Sequence, residues 1–159
     1  MNNSIISLIN FRKELIYTLI EKNYEVYFTV PESKENQQVK ELLNMGTKYV
    51  QNSINGRSIN PFFELKTLFQ LKKIVQNIEP DIILSFTIKP NIYGSYVAKK
   101  YKIPIIINIT GLGSGFNNAY TKILVEKMYK YACKNAFCIF FQNEANYNYF
   151  IENKIAKKD

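Results

Sequence analysis

An α/β architecture, a Rossmann-like doubly wound parallel sheet, follows from three features of the sequence. Segments with apolar residues at helical spacing alternate with short strand-like runs. Two of those runs, DIILSF at 81–86 and IIINI at 105–109, are apolar almost throughout, as strands covered on both faces are. A polar loop (87–91) and a glycine-rich loop (110–115) follow these strands, and the carboxyl edge of an open α/β sheet is where ligands bind. A length of 159 residues suits one domain, 1–159.

The elements are predicted in order. Residues 10–21 place Phe11, Leu15, Ile16, Leu19 and Ile20 at helical spacing, with Arg12, Lys13 and Glu14 on the other side. Residues 24–30 (YEVYFTV) are β-branched and aromatic and end at Pro31, which predicts a strand. A polar helix over 33–43 turns Val39, Leu42 and Leu43 inward and closes at Gly46. Residues 48–51 form a short strand. Asn60 and Pro61 start a helix reaching about residue 77, with Pro at the first position and Phe62, Leu65, Leu68, Phe69 and Val75 on its buried side. Then follow a strand at 81–86, a helix at 91–101 capped by Asn91, a strand at 105–109, a helix at 121–135, a strand at 137–141 and a helix from about 143.

A doubly wound sheet normally opens with a strand that ends up in its middle. Here a helix comes almost at once, and residues 4–9 (SIISLI) are the only strand candidate. The sequence therefore reads as cut at both ends, with its first strand missing.

Composition narrows the chemistry. The chain is 47% hydrophobic and 21% charged, with 21 Lys plus Arg, 13 Asp plus Glu and a net charge of +8. The cations are almost all Lys, alongside abundant Ile, Asn and Tyr, which is the composition an AT-rich genome yields. The charge therefore does not argue for a nucleic-acid partner. His and Trp are absent, which excludes a Ser-His-Asp or Cys-His pair within this chain and any imidazole-based zinc site. Cys133 and Cys138 make neither a disulfide framework nor a four-ligand metal site, and read as small apolar residues of a reduced, cytoplasmic protein. The first residues lack a secretory pattern, and no apolar run approaches the ~20 residues of a spanning helix.

Chemistry concentrates in residues 80–116. Pro90 fixes the loop after the strand at 81–86, Asn91 is placed to cap the following helix, and Lys89 sets a cation beside that helix start, suited to an anion. Gly111, Gly113 and Gly115 let backbone amides approach a phosphate. Their spacing, G-x-G-x-G, is neither the dinucleotide nor the P-loop pattern, and a ligand-free strand-to-helix connection explains it as well.

Five motifs in order carry a resemblance: residues 2–12 from Asn2-Asn3-Ser4 to Arg12, RSINP at 57–61, TIKPNIYG at 87–94, TGLG at 110–113 and FFQNE at 140–144. Together they resemble the N-terminal half of family-4 glycosyltransferases of the GT-B fold, which build bacterial surface polysaccharide and lipid-linked glycans. The resemblance implies two Rossmann-like domains facing a cleft. The N-terminal one binds the acceptor, and a C-terminal one, outside these 159 residues, binds the nucleotide-sugar donor. It implies retaining transfer of a hexosyl or N-acetylhexosaminyl group to a polyprenyl-diphosphate glycan at the inner face of the cytoplasmic membrane, with no cofactor and usually no metal.

On the matching positions, the resemblance implies acceptor or phosphate contacts from Arg12, Arg57, Lys89, Asn91, Thr110, Gly111, Gly113 and Asn143. Arg12 and Arg57 are the only arginines, and a guanidinium fork grips phosphate bidentately where Lys does not. A surface ion pair explains them equally, and helix capping explains Asn143 equally. Thr110 stands where family members place His or Glu, so the catalytic residue is unassigned. Front-side attack, with the leaving phosphate taking the acceptor proton, needs no strong base from this half. The helix at 121–135 carries Lys122, Lys127, Lys130 and Lys134 among Tyr120, Tyr129 and Tyr131, which suits a lipid surface. Ile123, Leu124, Val125 and Met128 supply an ordinary core side, so a solvated charged face is the plainer reading. Two alternatives stand beside the transferase reading: a non-catalytic subunit needing a donor-binding partner, and an unrelated Rossmann-like nucleotide binder. The chain by itself is expected to be inactive.

Overall fold

The computed structural model describes residues 1–56, 60–113 and 119–158. Along the chain run α1 (Ile5–Glu21), β1 (Tyr27–Val30), α2 (Gln37–Asn44), β2 (Lys48–Gln51), α3 (Pro61–Ile78), β3 (Ile83–Phe86), α4 (Ile88–Tyr101), β4 (Ile105–Ile109), α5 (Ala119–Asn135), β5 (Cys138–Phe141) and α6 (Glu144–Glu152). Every strand pairing among the described residues is parallel, so the α/β class with parallel strands stands as read from the sequence. The strands form two sheets, β1-β2 and β3-β4-β5, and the chain divides into two compact units, Met1–Ile74 and Val75–Asp159.

In the first unit, β1 and β2 pair from Tyr27 opposite Lys48 to Val30 opposite Gln51. Ile5, Leu8 and Ile16 of α1, Phe28 and Val30 of β1, and Val39 and Leu42 of α2 make the buried core. Residues 5–9 are helical, which corrects the strand candidate at 4–9. Ile5, Leu8 and Ile16 fall on one stripe of a 3.6-residue helix, and the Ile5 N–H donates to Glu32 Oε2 at 3.1 Å. A carboxylate thus satisfies a free donor at the helix's positive end. Asn36 caps α2 by accepting from Gln38 N–H at 2.8 Å, so this helix starts at 37 rather than 33. Asn60 accepts from Phe62 N–H at 3.0 Å, which confirms the predicted start of α3.

The face assigned to α3 needs correcting. Its buried residues are Thr67, Leu71, Ile74 and Val75, while Phe62, Leu65 and Phe69 are 84%, 52% and 54% exposed. Apolar side chains surround much of this helix, so spacing alone does not select the inward stripe. A polar contact marks it instead: the Thr67 hydroxyl meets Ser53 Oγ and Ser53 O, each at 3.2 Å.

In the second unit, β4 is central. Ile83 lies opposite Ile105 on one side and Ile106 opposite Cys138 on the other. Ile105, Ile107 and Ile109 are fully buried. Tyr129 stacks edge-on to Phe150 at 5.1 Å, and Phe150 meets Phe141 at 5.3 Å, so an aromatic cluster joins α5, α6 and β5. The inward residues of α5 are Tyr129 and Ala132; Ile123 and Leu124, expected on the core side, are 53% and 59% exposed.

Candidate functional site

The two loops singled out in the sequence meet in the second unit. After β3 the chain turns at Thr87, whose φ of 72° and ψ of 167° lie in a region that only glycine occupies comfortably, at a cost of about 1–3 kcal/mol. Its Oγ1 is buried without a hydrogen-bond partner among the described residues. Helix α4 starts directly afterwards, so residues 88–90 are its first turn rather than a loop, and Pro90 sits where a missing N–H breaks no helical hydrogen bond. Half-buried Lys89 lies in that turn.

The loop after β4 comes up against the same turn. Gly113 has φ +60°, and a Cβ built there would lie 2.8 Å from Ile88 Cδ1. Conformation therefore favours glycine at 113, and a side chain there would also have to turn the tip of Ile88 aside. Gly111, at φ +149°, has open space around it, and Thr110 is half-buried beside it. The contact of Ile88 with Gly113 brings the first turn of α4, which carries Lys89, up to the glycine turn that follows Thr110 and Gly111. That combination can hold an anion. Among the described residues, no cluster of three or more His, Cys, Asp or Glu side chains could hold a metal.

Asn91 plays a different part from the one read in the sequence. It does not cap α4, whose N-cap is Thr87. Its side chain is fully buried, accepts from Ser85 Oγ at 2.8 Å and donates to Asn108 O at 2.8 Å. Asn108 Nδ2 in turn donates to Ser85 O at 3.4 Å. Burial raises the Tyr129 phenol above its ordinary range, and the nearby Asn91 side chain partly offsets that rise. Asn91 therefore ties α4 to β3 and β4 from behind the loops.

The remaining candidates belong to other segments of the chain. Asn143, exposed after β5, caps α6 by accepting from Asn146 N–H at 2.8 Å, which is the capping alternative. Arg12 belongs to the first unit. It is half-buried on α1, its Nη1 donates to Phe11 O at 2.7 Å, and partial burial lowers its pKa. Arg57 and Gly115 lie outside the described residues.

Sequence reasoning missed Ser85 and Asn108, which hold Asn91, and the matching first-unit group around Asn52. Asn52 Nδ2 donates to Asn2 O at 2.9 Å and Thr29 Oγ1 at 3.1 Å, and Asn52 Oδ1 accepts from Ile54 N–H at 2.9 Å. A signal was available: Ser85 and Asn108 are lone polar residues in otherwise apolar strands, and a buried polar group must find a partner.

Known proteins place this arrangement in a class. The chain belongs to the family described as glycosyl transferase 4-like, which matches residues 9–143; the unrelated nucleotide-binder alternative falls with that match. It is 33% identical over 146 residues to the N,N'-diacetylbacillosaminyl-diphospho-undecaprenol alpha-1,3-N-acetylgalactosaminyltransferase of Campylobacter jejuni, covering 88% of this chain and 38% of that protein. It is 28% identical over 120 residues to the UDP-N-acetylglucosamine–N-acetylmuramyl-(pentapeptide) pyrophosphoryl-undecaprenol N-acetylglucosamine transferase of Buchnera aphidicola, covering 69% of this chain and 34% of that one. The chain thus spans little more than a third of either relative. Among solved structures, a glycosyltransferase from Rickettsia africae aligns over 97% of this chain and 38% of its own, with a TM-score of 0.64 and 16% identity. A UDP-N-acetylglucosamine 2-epimerase aligns over 99% of this chain and 42% of its own, with a TM-score of 0.64 and 22% identity. These two show the fold.

Proposed function

We propose that the chain is the acceptor-binding half of a retaining glycosyltransferase. The enzyme would move a hexosyl or N-acetylhexosaminyl group from a nucleotide-sugar, bound by a separate C-terminal domain, to a polyprenyl-diphosphate glycan at the inner face of the cytoplasmic membrane. The family match over residues 9–143 is the observation that carries this reading. The relatives named above support the substrate class, since the names of both describe undecaprenol-linked acceptors. The approach of the first turn of α4, which carries Lys89, to the glycine turn supports a place for the acceptor's diphosphate. Thr110 and the glycine amides would line the wall near that diphosphate, with Arg12, Arg57 and Asn143 as further candidate contacts. No helix among the described residues is long and apolar enough to cross a membrane.

The test is a transfer assay with a nucleotide-sugar panel and an undecaprenyl-diphosphate glycan. The 159-residue chain should give no transfer. Joined to the donor-binding half of the Campylobacter relative, it should transfer with retained anomeric configuration, read by NMR. In that chimera Lys89→Ala should raise the acceptor KM about tenfold, the loss of one charge-assisted contact of about 1.4 kcal/mol. Transfer by the chain alone, or Lys89→Ala kinetics equal to the parent's, would refute the assignment.

A further inference from the structure

Helix starts among the described residues fall into two groups. Asn36, Asn60 and Asn143 cap α2, α3 and α6 with their own side chains. Ser4 and Thr87, at the starts of α1 and α4, make no side-chain cap bond, and neither helix has an acid in its first turn. At α4 the Thr87 Oγ1 is buried without a hydrogen-bond partner among the described residues. At α1 the acceptor comes from the loop after β1, where Glu32 Oε2 takes the Ile5 N–H at 3.1 Å. Both sides of that contact are held. The Tyr49 hydroxyl donates to Glu32 O, and Gln51 Nε2 donates to Pro31 O at 2.8 Å, so β2 braces the loop. The Asn2 N–H donates to Thr29 O at 3.0 Å, which fixes the chain leading into α1. The Glu32 side chain therefore stands, half-buried, at the carboxyl edge of β1, the edge at which open α/β sheets take ligands.

We propose that Glu32 is a specificity-determining residue that closes the start of α1 to phosphate. A carboxylate oxygen gives a helix start what a phosphate oxygen gives it, negative charge and an acceptor for the N–H. A diphosphate arriving at α1 would have to displace a carboxylate braced on its own loop and would meet its like charge. Ser4, in the cap position, carries a hydroxyl of the kind that caps helices, so stability alone does not call for a charged acceptor from another loop. This assignment rests on the acceptor-binding reading above and deepens it. With α1 closed, the acceptor's diphosphate is left to the start of α4 and the glycine turn.

Titration of the nitrogen-15-labelled chain with inorganic pyrophosphate, followed through its amide shifts, tests it. In the parent the Ile5 amide should not move. In Glu32→Ala it should move and saturate, with binding at least about tenfold tighter than any there in the parent, because the helix end is freed and a like charge removed. Glu32→Gln keeps an oxygen for the Ile5 N–H while losing the charge, so its gain should be smaller, about threefold. Circular dichroism should match the parent for both, and if Glu32→Ala loses structure, Glu32→Gln carries the test. Saturable movement of Ile5 in the parent, or no gain in the folded variants, would overturn the proposal. The Gly111 and Gly113 amides report separately on the diphosphate place proposed above. A gain at Ile5 with unmoved glycine amides would uphold the role of Glu32 and count against that place alone.

Discussion

In Met1–Ile74 the buried amide that joins strand ends is Asn52, carried on the loop after β2 and bonded to Asn2 and Thr29. In Val75–Asp159 the corresponding amide is Asn91, carried on a helix and bonded to β3 and β4. The chemistry is shared and the mounting differs. A loop-borne amide orders a loop and the amino-terminal residues. A helix-borne amide sets where a whole helix begins, and with it Lys89 and the turn that Gly113 packs against. The cores differ too. The first unit packs mainly aliphatic side chains on two strands, whereas the second adds interlocked rings, with Phe150 against Tyr129, Phe141 and Tyr149.

Removing the ring at the centre of that cluster should have the largest effect. Phe150→Ala should cost about 4 kcal/mol, measured by urea unfolding. Hydrogen exchange should show protection lost first in Val75–Asp159, and simultaneous loss in Met1–Ile74 would break the distinction between the units. Next comes Asn91→Ala, which strands the Ser85 hydroxyl and the Asn108 carbonyl in the interior and should cost about 3 kcal/mol. A cost below about 0.5 kcal/mol, within the range of surface substitutions, would return Asn91 to the ligand-facing role read from the sequence.

A smaller effect comes from alkaline pH. Burial pushes the Cys133 thiol up to about 12 from 9.0, so above pH 9 the unfolded chain gives up a proton that the folded chain keeps. The contribution is intact below pH 9 and is lost as pH rises toward 12, with a slope of up to about 1.4 kcal/mol per pH unit. Tyr129, also raised by burial, adds to the slope above pH 10. Comparing parent and Cys133→Ala unfolding between about pH 8 and 11, from below the window into it, isolates the thiol, and identical curves would show it is not shielded. The smallest effect belongs to the first unit. Lys13 and Glu41, 2.6 Å apart with side chains 43% and 42% exposed, should contribute little in water, so Lys13→Met should shift the urea midpoint slightly and lose even that shift at high salt.

Much of this architecture was legible because the signals are local. Lys48–Gln51 and Ile105–Ile109 came out with their predicted bounds, and Asn60-Pro61 started α3 as a capping signal should. The misreadings came where local pattern is ambiguous and tertiary contact decides. SIISLI is β-branched enough to suit a strand, yet Ile5 and Leu8 join Ile16 on one helical stripe. On α3 and α5 the apolar residues run round the helix, and nothing in Phe69 or Leu124 itself says which side faces out. Of the candidate site, the turn after β4 was legible from its glycines, whereas Lys89 and Pro90, read as loop, stand in the first turn of α4. The inward turn of Asn91 was not legible, because a polar residue beside a loop looks the same in sequence whether it meets ligand or core.

The fit of Gly113 against Ile88 has a mechanical consequence. With 2.8 Å between a Cβ at 113 and Ile88 Cδ1, the tip of the isoleucine already fills the volume that a side chain at 113 would need. A larger residue at 113 would first have to turn that tip aside. The first turn of α4 and the glycine turn therefore share one seam, and the side chain on one limits the side chain the other can carry.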